Sequence, residues 1–236
     1  NQKLNYFSKF NVFFFFLKKF DKKFSKIKSF DFIQSILFKK LNSKYIFVSN
    51  NFRFGNKREG DVKLLKSFEN RFEYKIINPK PLKKKNKVIS STFIRTLIKK
   101  GEITKANQFL NRNWSIEGKV IYGRKLGRTI GFPTCNINLG DYVIARPGVY
   151  AVRVYLKNKK KYLRGIANLG YRPTFNQKKL LLEVNLFNFS GNLYNKNLRV
   201  EFLKFIRKEL KFKNLDQLKK QIKLDLKVAK KFKENK

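Results

Sequence analysis

The segment from Gly123 to Asn136, reading GRKLGRTIGFPTCN, sets a glycine-punctuated basic loop directly before a Thr-x-Asn pair. Gly123, Gly127 and Gly131 leave the backbone free to bend around a ligand, and Lys125 and Arg128 bring charge suited to phosphates. Pro133 stiffens the exit. Thr134 and Asn136 stand at alternate positions, which on an extended strand project from one face. Two hard oxygen ligands there suit a magnesium ion shared with phosphate oxygens, so the whole segment suits a nucleoside triphosphate. The pattern matches neither the P-loop nor the dinucleotide fingerprint, and an ordinary barrel loop with solvated Lys and Arg has the same spacing.

A hydroxyl that attacks phosphorus needs a group to take its proton. In LLLEVNLF, Leu182, Val184 and Leu186 share one face of a strand, which sends Glu183 to the other with Asn185 and Phe187. Acids are scarce in this chain, 15 against 57 basic residues, and a central strand seldom carries one idly. Beside the glycine loop, Glu183 can act as a general base; elsewhere it is a partner for one of the many Lys or Arg residues. ISSTFIR, Ile89 to Arg95, is a second phosphate candidate. Ser90, Ser91 and Thr92 can cap a helix whose N-terminus takes a phosphate, with Arg95 about one turn in to add a charge-assisted bond. Simple capping accounts for the same residues.

The elements that position these groups change character near residue 111. Residues 1–110 alternate apolar strand-like runs, Val12 to Leu17 and Tyr45 to Val48, with helix-like stretches, Phe30 to Leu41 and Gly60 to Phe68, the rhythm of a parallel α/β domain. Val12 to Leu17, VFFFFL, reads as a buried strand; it is too short for a bilayer, which takes about 20 residues, and no signal-peptide cleavage site follows. Residues 111–236 read as a small closed barrel, with strands at Ser115 to Tyr122, Val149 to Leu156, Tyr162 to Asn168, Leu180 to Phe187 and Leu198 to Ile206. Leu215, Leu218, Ile222, Leu226 and Ala229 then form one apolar face of a closing helix that packs on the barrel and leaves its lysines in solvent.

Composition bounds the partners. A formal charge of +42 points toward polyanions, so a basic RNA-binding protein is one reading. The excess is mostly Lys, accompanied by abundant Asn, Ile and Phe, as AT-rich coding produces across a proteome. It carries neither an RNA-binding fingerprint nor an Arg stripe, so no specific nucleic acid and no membrane partner are expected. One Cys and no His argue against zinc or haem and point to a cytoplasmic location, with Cys135 a small apolar filler. The chain holds no Met, even at position 1, and is expected to lack its true start.

ISSTFIR, GRKLGRTIGFPTCNI, GVYAVRVYL, GIANLGYRPTF, LEVNLFNFSGNLYNKNLRVEFLKFIR and the closing helix, in this order, resemble the bacterial bifunctional FAD synthetases. The resemblance runs through most of the chain and is strongest after residue 89. It implies a truncated Rossmann-like nucleotidyltransferase domain over 1–110, followed by a six-stranded riboflavin kinase β-barrel with a C-terminal helix over 111–236. It implies MgATP at Thr134 and Asn136, phosphates wrapped by Gly123, Lys125, Gly127 and Arg128, and Glu183 as the base that converts riboflavin to FMN. Arg199, Asn192 and Tyr194 lie where the family's flavin-side elements sit. In the first domain the family's Asp-Phe-Arg-Phe-Gly motif reads Asn51 to Gly55, with an amide for the acid, and Arg53 is kept. The family's His-x-Gly-His signature has no counterpart, so the resemblance implies an incomplete set for adenylyl transfer in which Ser90, Ser91, Thr92, Arg95, Asn51 and Arg53 remain. Little FAD formation is expected of the chain as it stands. Oligomeric state is open.

Overall fold

The computed structural model describes residues 2–84, 86–123, 126–140, 142–156, 161–173 and 178–233. It divides into two compact units, Asn1–Val88 and Ile89–Lys236, each with its own core. Strands in chain order are β1 Tyr45–Phe47, β2 Lys75–Ile77, β3 Lys83–Lys84, β4 Lys87–Val88, β5 Ser115–Ile121, β6 Cys135–Ile137, β7 Gly148–Leu156, β8 Lys161–Pro173, β9 Lys178–Leu186 and β10 Asn197–Arg207.

In the first unit β1 pairs with β2 in parallel, Ile46 opposite Ile76, over a core of Ile33, Phe54, Leu65, Phe72 and Tyr74. The stretch expected as a helix over Phe30 to Leu41 starts as Ser29–Asp31 and widens into a π-type turn, Phe32–Lys40, so that Leu41 N–H reaches back five residues to the Ile36 carbonyl. Helix Val62–Ser67 begins at Asp61, whose carboxylate accepts the Leu64 N–H at 2.9 Å. That bond, more than the nearby Arg53 charge, holds the Asp61 carboxyl below its ordinary range. The expected buried strand at Val12 to Leu17 is not one. The run has no regular structure, and Phe13 and Phe14 are 90% and 80% exposed. Among the described residues no strand pairs with it, so its β-prone sequence has neither a ladder nor an opposing face to pack on.

The second unit is a closed six-stranded barrel of order β10-β5-β6-β9-β8-β7. Period-two alternation sends Val120, Ile137, Val152, Leu182, Val184 and Val200 inward. Helices Ser91–Lys100 and Ile103–Leu110 share this core through Ile94, Leu97, Ile98, Ile103 and Ala106, so the compact units part at Val88, well before the composition change near residue 111. Asn107 fastens the second helix: its amide donates to the Phe202 carbonyl at 2.8 Å and its carbonyl accepts the Trp114 N–H at 2.8 Å.

The closing helix, Leu215–Lys231, is capped by Asn214 and lies on the outside of β7, β8 and β10, where Ala229 meets Ala151 and Leu203. At its C-terminus Arg164 donates to the Ala229 carbonyl at 2.8 Å and also to the Phe232 carbonyl, placing a cation at the negative end of the helix. Among the described residues no helix is long and apolar enough to cross a membrane.

Candidate active site on the barrel wall

Glu183 stands on β9 directly opposite Asn136 of β6 and Asn168 of β8. Residues opposite each other across a pairing share a face, so all three side chains leave the barrel wall outward, away from buried Leu182 and Val184. Asn185, the next outward residue of β9, donates to the Pro133 carbonyl at 2.7 Å and ties this wall to the segment before Asn136.

The glycine loop folds back on the Thr-x-Asn pair. A Cβ on Gly123 would lie 1.6 Å from Asn136 Nδ2, and one on Gly127 would lie 2.4 Å from the Phe132 carbonyl and 3.1 Å from Thr134 Oγ1. Glycine is required at both positions because side chain and backbone already fill the space. Gly131, at φ +87°, supplies a left-handed turn between Gly127 and Thr134. Asn136 is buried, and among the described residues no donor reaches its Oδ1. A buried amide oxygen without a donor is unfavourable unless a cation or a ligand completes it, so the pair Thr134 and Asn136 fits a hard divalent cation. Lys125, the other expected phosphate contact, lies outside the described residues.

Two cavities meet at Thr134. The first, about 370 Å³, runs from Gly127, Thr134 and Glu183 along the outer wall to the closing helix. Toward the helix it becomes a largely apolar slot lined by Phe212, Leu218, Ile222 and Leu226, with Arg207, Glu209 and Asp225 also in its lining. The second, about 460 Å³, lies beyond β6 and β9 with Arg128, Asn192 and Tyr194 at its edge. Tyr194 stacks on exposed Tyr122, the ring centroids 4.1 Å apart. Asn192 uses its side-chain oxygen to accept the Tyr194 N–H at 2.9 Å.

The structure therefore brings together Glu183, Thr134, Asn136, Gly123 and Gly127, with Arg128 at the neighbouring cavity. It does not bring Asn192 and Tyr194 into the cavity of Glu183, and Arg199 borders neither cavity. Arg199 Nε donates to Glu117 at 2.7 Å on the far wall of the barrel, beside a second pair in which Arg153 Nε meets buried Glu201 at 2.7 Å. Cys135 points to the second cavity and the core; burial pushes its thiol up to about 11.

In the first unit Asn51 and Arg53 border a cavity with Arg58, Asp61 and Lys63. Arg53 also meets Asp61 at 3.3 Å. Phe54 and Gly55 of the same motif are structural: Phe54 is buried, and a Cβ on Gly55, at φ +77°, would strike the Ser29 backbone at 2.8 Å. Ser90 caps its helix, accepting the Phe93 N–H at 3.1 Å, with Ser91, Thr92 and Arg95 exposed in the first turns. These residues belong to the second compact unit, Asn51 and Arg53 to the first.

Asn168, Arg207, Glu209 and Asp225 were not singled out by the sequence. Asp225 left one trace: it interrupts the apolar stripe between Ile222 and Leu226. It is buried, and Arg207 donates to it from Nε at 2.9 Å and from Nη2 at 2.7 Å. Glu209 fills the space where a Cβ of Gly170 would stand, 2.0 Å from its Oε1.

A closed barrel that holds a carboxylate over a glycine loop and a Thr-x-Asn pair defines a flavokinase-type domain, and the family model described as riboflavin kinase matches residues 110–233. A second model, described as FAD synthetase, matches residues 1–93. The bifunctional riboflavin kinase/FMN adenylyltransferase of Buchnera aphidicola subsp. Schizaphis graminum is 42% identical, over 91% of this chain and 69% of that protein. Its counterpart in Haemophilus influenzae is 40% identical, over 98% of this chain and 74% of that protein. A crystal structure described as a macrolide-efflux protein from Streptococcus pneumoniae is 30% identical with a TM-score of 0.84, covering 98% of this chain and 74% of its own. The chain belongs to the bifunctional riboflavin kinase/FMN adenylyltransferase family.

Proposed function

We propose that this chain is an ATP-dependent riboflavin kinase of the bifunctional type, which transfers the γ-phosphoryl group of ATP to the riboflavin 5′-hydroxyl and releases FMN and ADP. The observation that carries the reading is the position of Glu183, between the glycine loop with its Thr-x-Asn pair and the mouth of an apolar slot. The slot suits a flat aromatic ring system, held by Phe212, Leu218, Ile222 and Leu226, with its polar chain directed at Glu183. Glu183 takes the proton of the attacking hydroxyl as the oxygen–phosphorus bond forms and the bond to ADP breaks. Gly123 and Gly127 let backbone approach the phosphates, and Arg128 adds charge from the second cavity, which we assign to the nucleotide. Thr134 and Asn136 would hold a magnesium ion, which when bound supplies positive charge to the phosphate oxygens.

We assign residues 111–236 to the kinase and 1–110 to an adenylyltransferase-like part. The matches over 110–233 and 1–93 support this division, although the helices between fold with the barrel. A cytoplasmic location belongs to the same reading and rests on the lone, buried thiol.

The experiment is chromatography of the flavin products after incubation of the purified chain with riboflavin, ATP and varied magnesium. FMN is the expected product. A folded preparation that makes none, while binding RNA in a salt-resistant and sequence-selective manner, would replace this reading with that of a basic RNA-binding protein.

FMN adenylyltransferase activity is a second reading, favoured by the FAD synthetase match and by the basic cavity at Asn51 and Arg53. FAD formation from FMN and ATP tests it, and Asn51→Asp, which restores the family's acid, is expected to raise it. No FAD from either form counts against that activity in this chain.

A further inference from the structure

The carboxylate of Asp225 lies among apolar residues of the closing helix, where a charge without a partner would be strongly unfavourable. Four donated bonds complete it. Arg207 gives Nε to Oδ1 and Oδ2 at 2.9 and 3.0 Å and Nη2 to Oδ2 at 2.7 Å, and Gln221 gives Nε2 to Oδ1 at 2.9 Å. The third nitrogen of the guanidinium is fixed too, with Nη1 donating to the Lys208 carbonyl at 2.8 Å. One carboxylate thus joins the end of β10 to the middle of the closing helix, and both sides of this joint, Arg207 and Asp225, line the slot that leads to Glu183. The apolar contacts of the helix alone would leave its position along the barrel loosely specified, because Leu and Ile side chains slide past one another at little cost; a two-pronged Arg–carboxylate joint does not.

We infer that Asp225 is a positioning residue for the flavin substrate: by holding Arg207 it sets the closing helix as the fixed jaw of the slot that receives the flavin. The inference rests on the riboflavin kinase reading. It predicts a separation between the two substrates, since the joint borders the slot and not the cavity that holds Arg128.

The test compares wild type with Asp225→Asn, which keeps shape while turning a donor toward Arg207, and with Gln221→Ala, a milder loss that leaves the ion pair intact. Asp225→Asn is expected to raise the riboflavin KM about 10-fold or more, with the ATP KM changed by less than about 2-fold and kcat by less than about 3-fold. Equilibrium binding of riboflavin, followed by its fluorescence without ATP, should weaken by the same factor. Gln221→Ala should shift the flavin constants in the same direction by about 3-fold, and decides the matter if Asp225→Asn does not fold. Unchanged flavin constants in a folded variant, or equal shifts for ATP and riboflavin, overturn the inference and leave Asp225 a structural residue. A wild type that binds no riboflavin and makes no FMN fails earlier, and overturns the kinase reading together with it.

Discussion

Asn136 faces Glu183 across the β6–β9 pairing, one carboxamide and one carboxylate at a single rung of the barrel. The corresponding rung of β8 carries Asn168, so both cross-strand neighbours of Glu183 are neutral amides. At this rung of three strands the carboxylate is the one group able to receive a proton, as a general base must.

Replacing the carboxylate isolates this role. Glu183→Gln keeps the shape and the amide-compatible surroundings, and turnover of riboflavin to FMN should fall by about 10²- to 10⁴-fold while flavin binding persists. Product chromatography and fluorescence titration measure the two quantities separately. Near-normal turnover would assign Glu183 a structural part.

Glycine substitutions divide by what fills the missing Cβ. Gly123→Ala drives a methyl group into Asn136 and should lower kcat/KM at least about 10-fold, with a stability loss of about 1–3 kcal/mol. Gly140→Ala meets nothing within 4 Å and should leave both unchanged. Equal behaviour of the two variants in steady-state kinetics and thermal melts would contradict the packed-loop geometry.

The thiol of Cys135 should report folding. Burial raises it from 9.0 to about 11, so at pH 8 its thiolate fraction drops from about one in ten to about one in a thousand, and alkylation slows accordingly. The sign follows for stability: a folded-state pKa above the unfolded one gives a contribution fully present below about pH 9 and lost as pH rises through about 11. Iodoacetamide labelling followed by mass spectrometry should be slow in buffer and rapid in denaturant; fast native labelling would show the thiol open.

The exposed run Val12 to Leu17 has the traits of a self-association site: consecutive aromatic and apolar residues, no charge, and a backbone with no ladder. Phe14→Ser with Phe16→Ser should reduce light scattering of concentrated protein and leave riboflavin kinase activity unchanged. Scattering unaffected by the pair would place the cause elsewhere, the net charge being unaltered.

Legibility followed period and spacing. The barrel strands were readable because alternation with a buried face is a two-residue pattern, and the run at Leu180 to Phe187 even sorted Glu183 from Leu182 and Val184. The short β6 was legible only through Thr134 and Asn136, since three residues carry too little pattern of their own. Val12 to Leu17 misled because strand propensity is realised only against a partner, which sequence-local reasoning cannot supply. Arg207 and Asp225 are 18 positions apart and meet only after the helix docks, so neither spacing nor motif pairs them. Helices Ser91–Lys100 and Ile103–Leu110 have the amphipathic pattern of any surface helix, which does not say which core receives the apolar face.

The close packing against Gly123 and Gly127 reaches back to the gene. The chain is rich in Lys, Asn, Ile and Phe, residues whose codons can be built almost wholly from A and T, whereas every glycine codon begins with two G bases. A mutational pressure toward A and T erodes such codons continually. At these two positions the first substitution would set a side-chain carbon on top of buried Asn136 or the Phe132 carbonyl, so nucleotide drift is opposed there by atomic volume. The two leading G bases of the codons for residues 123 and 127 are thereby tied to the geometry of a loop rather than to the base composition around them.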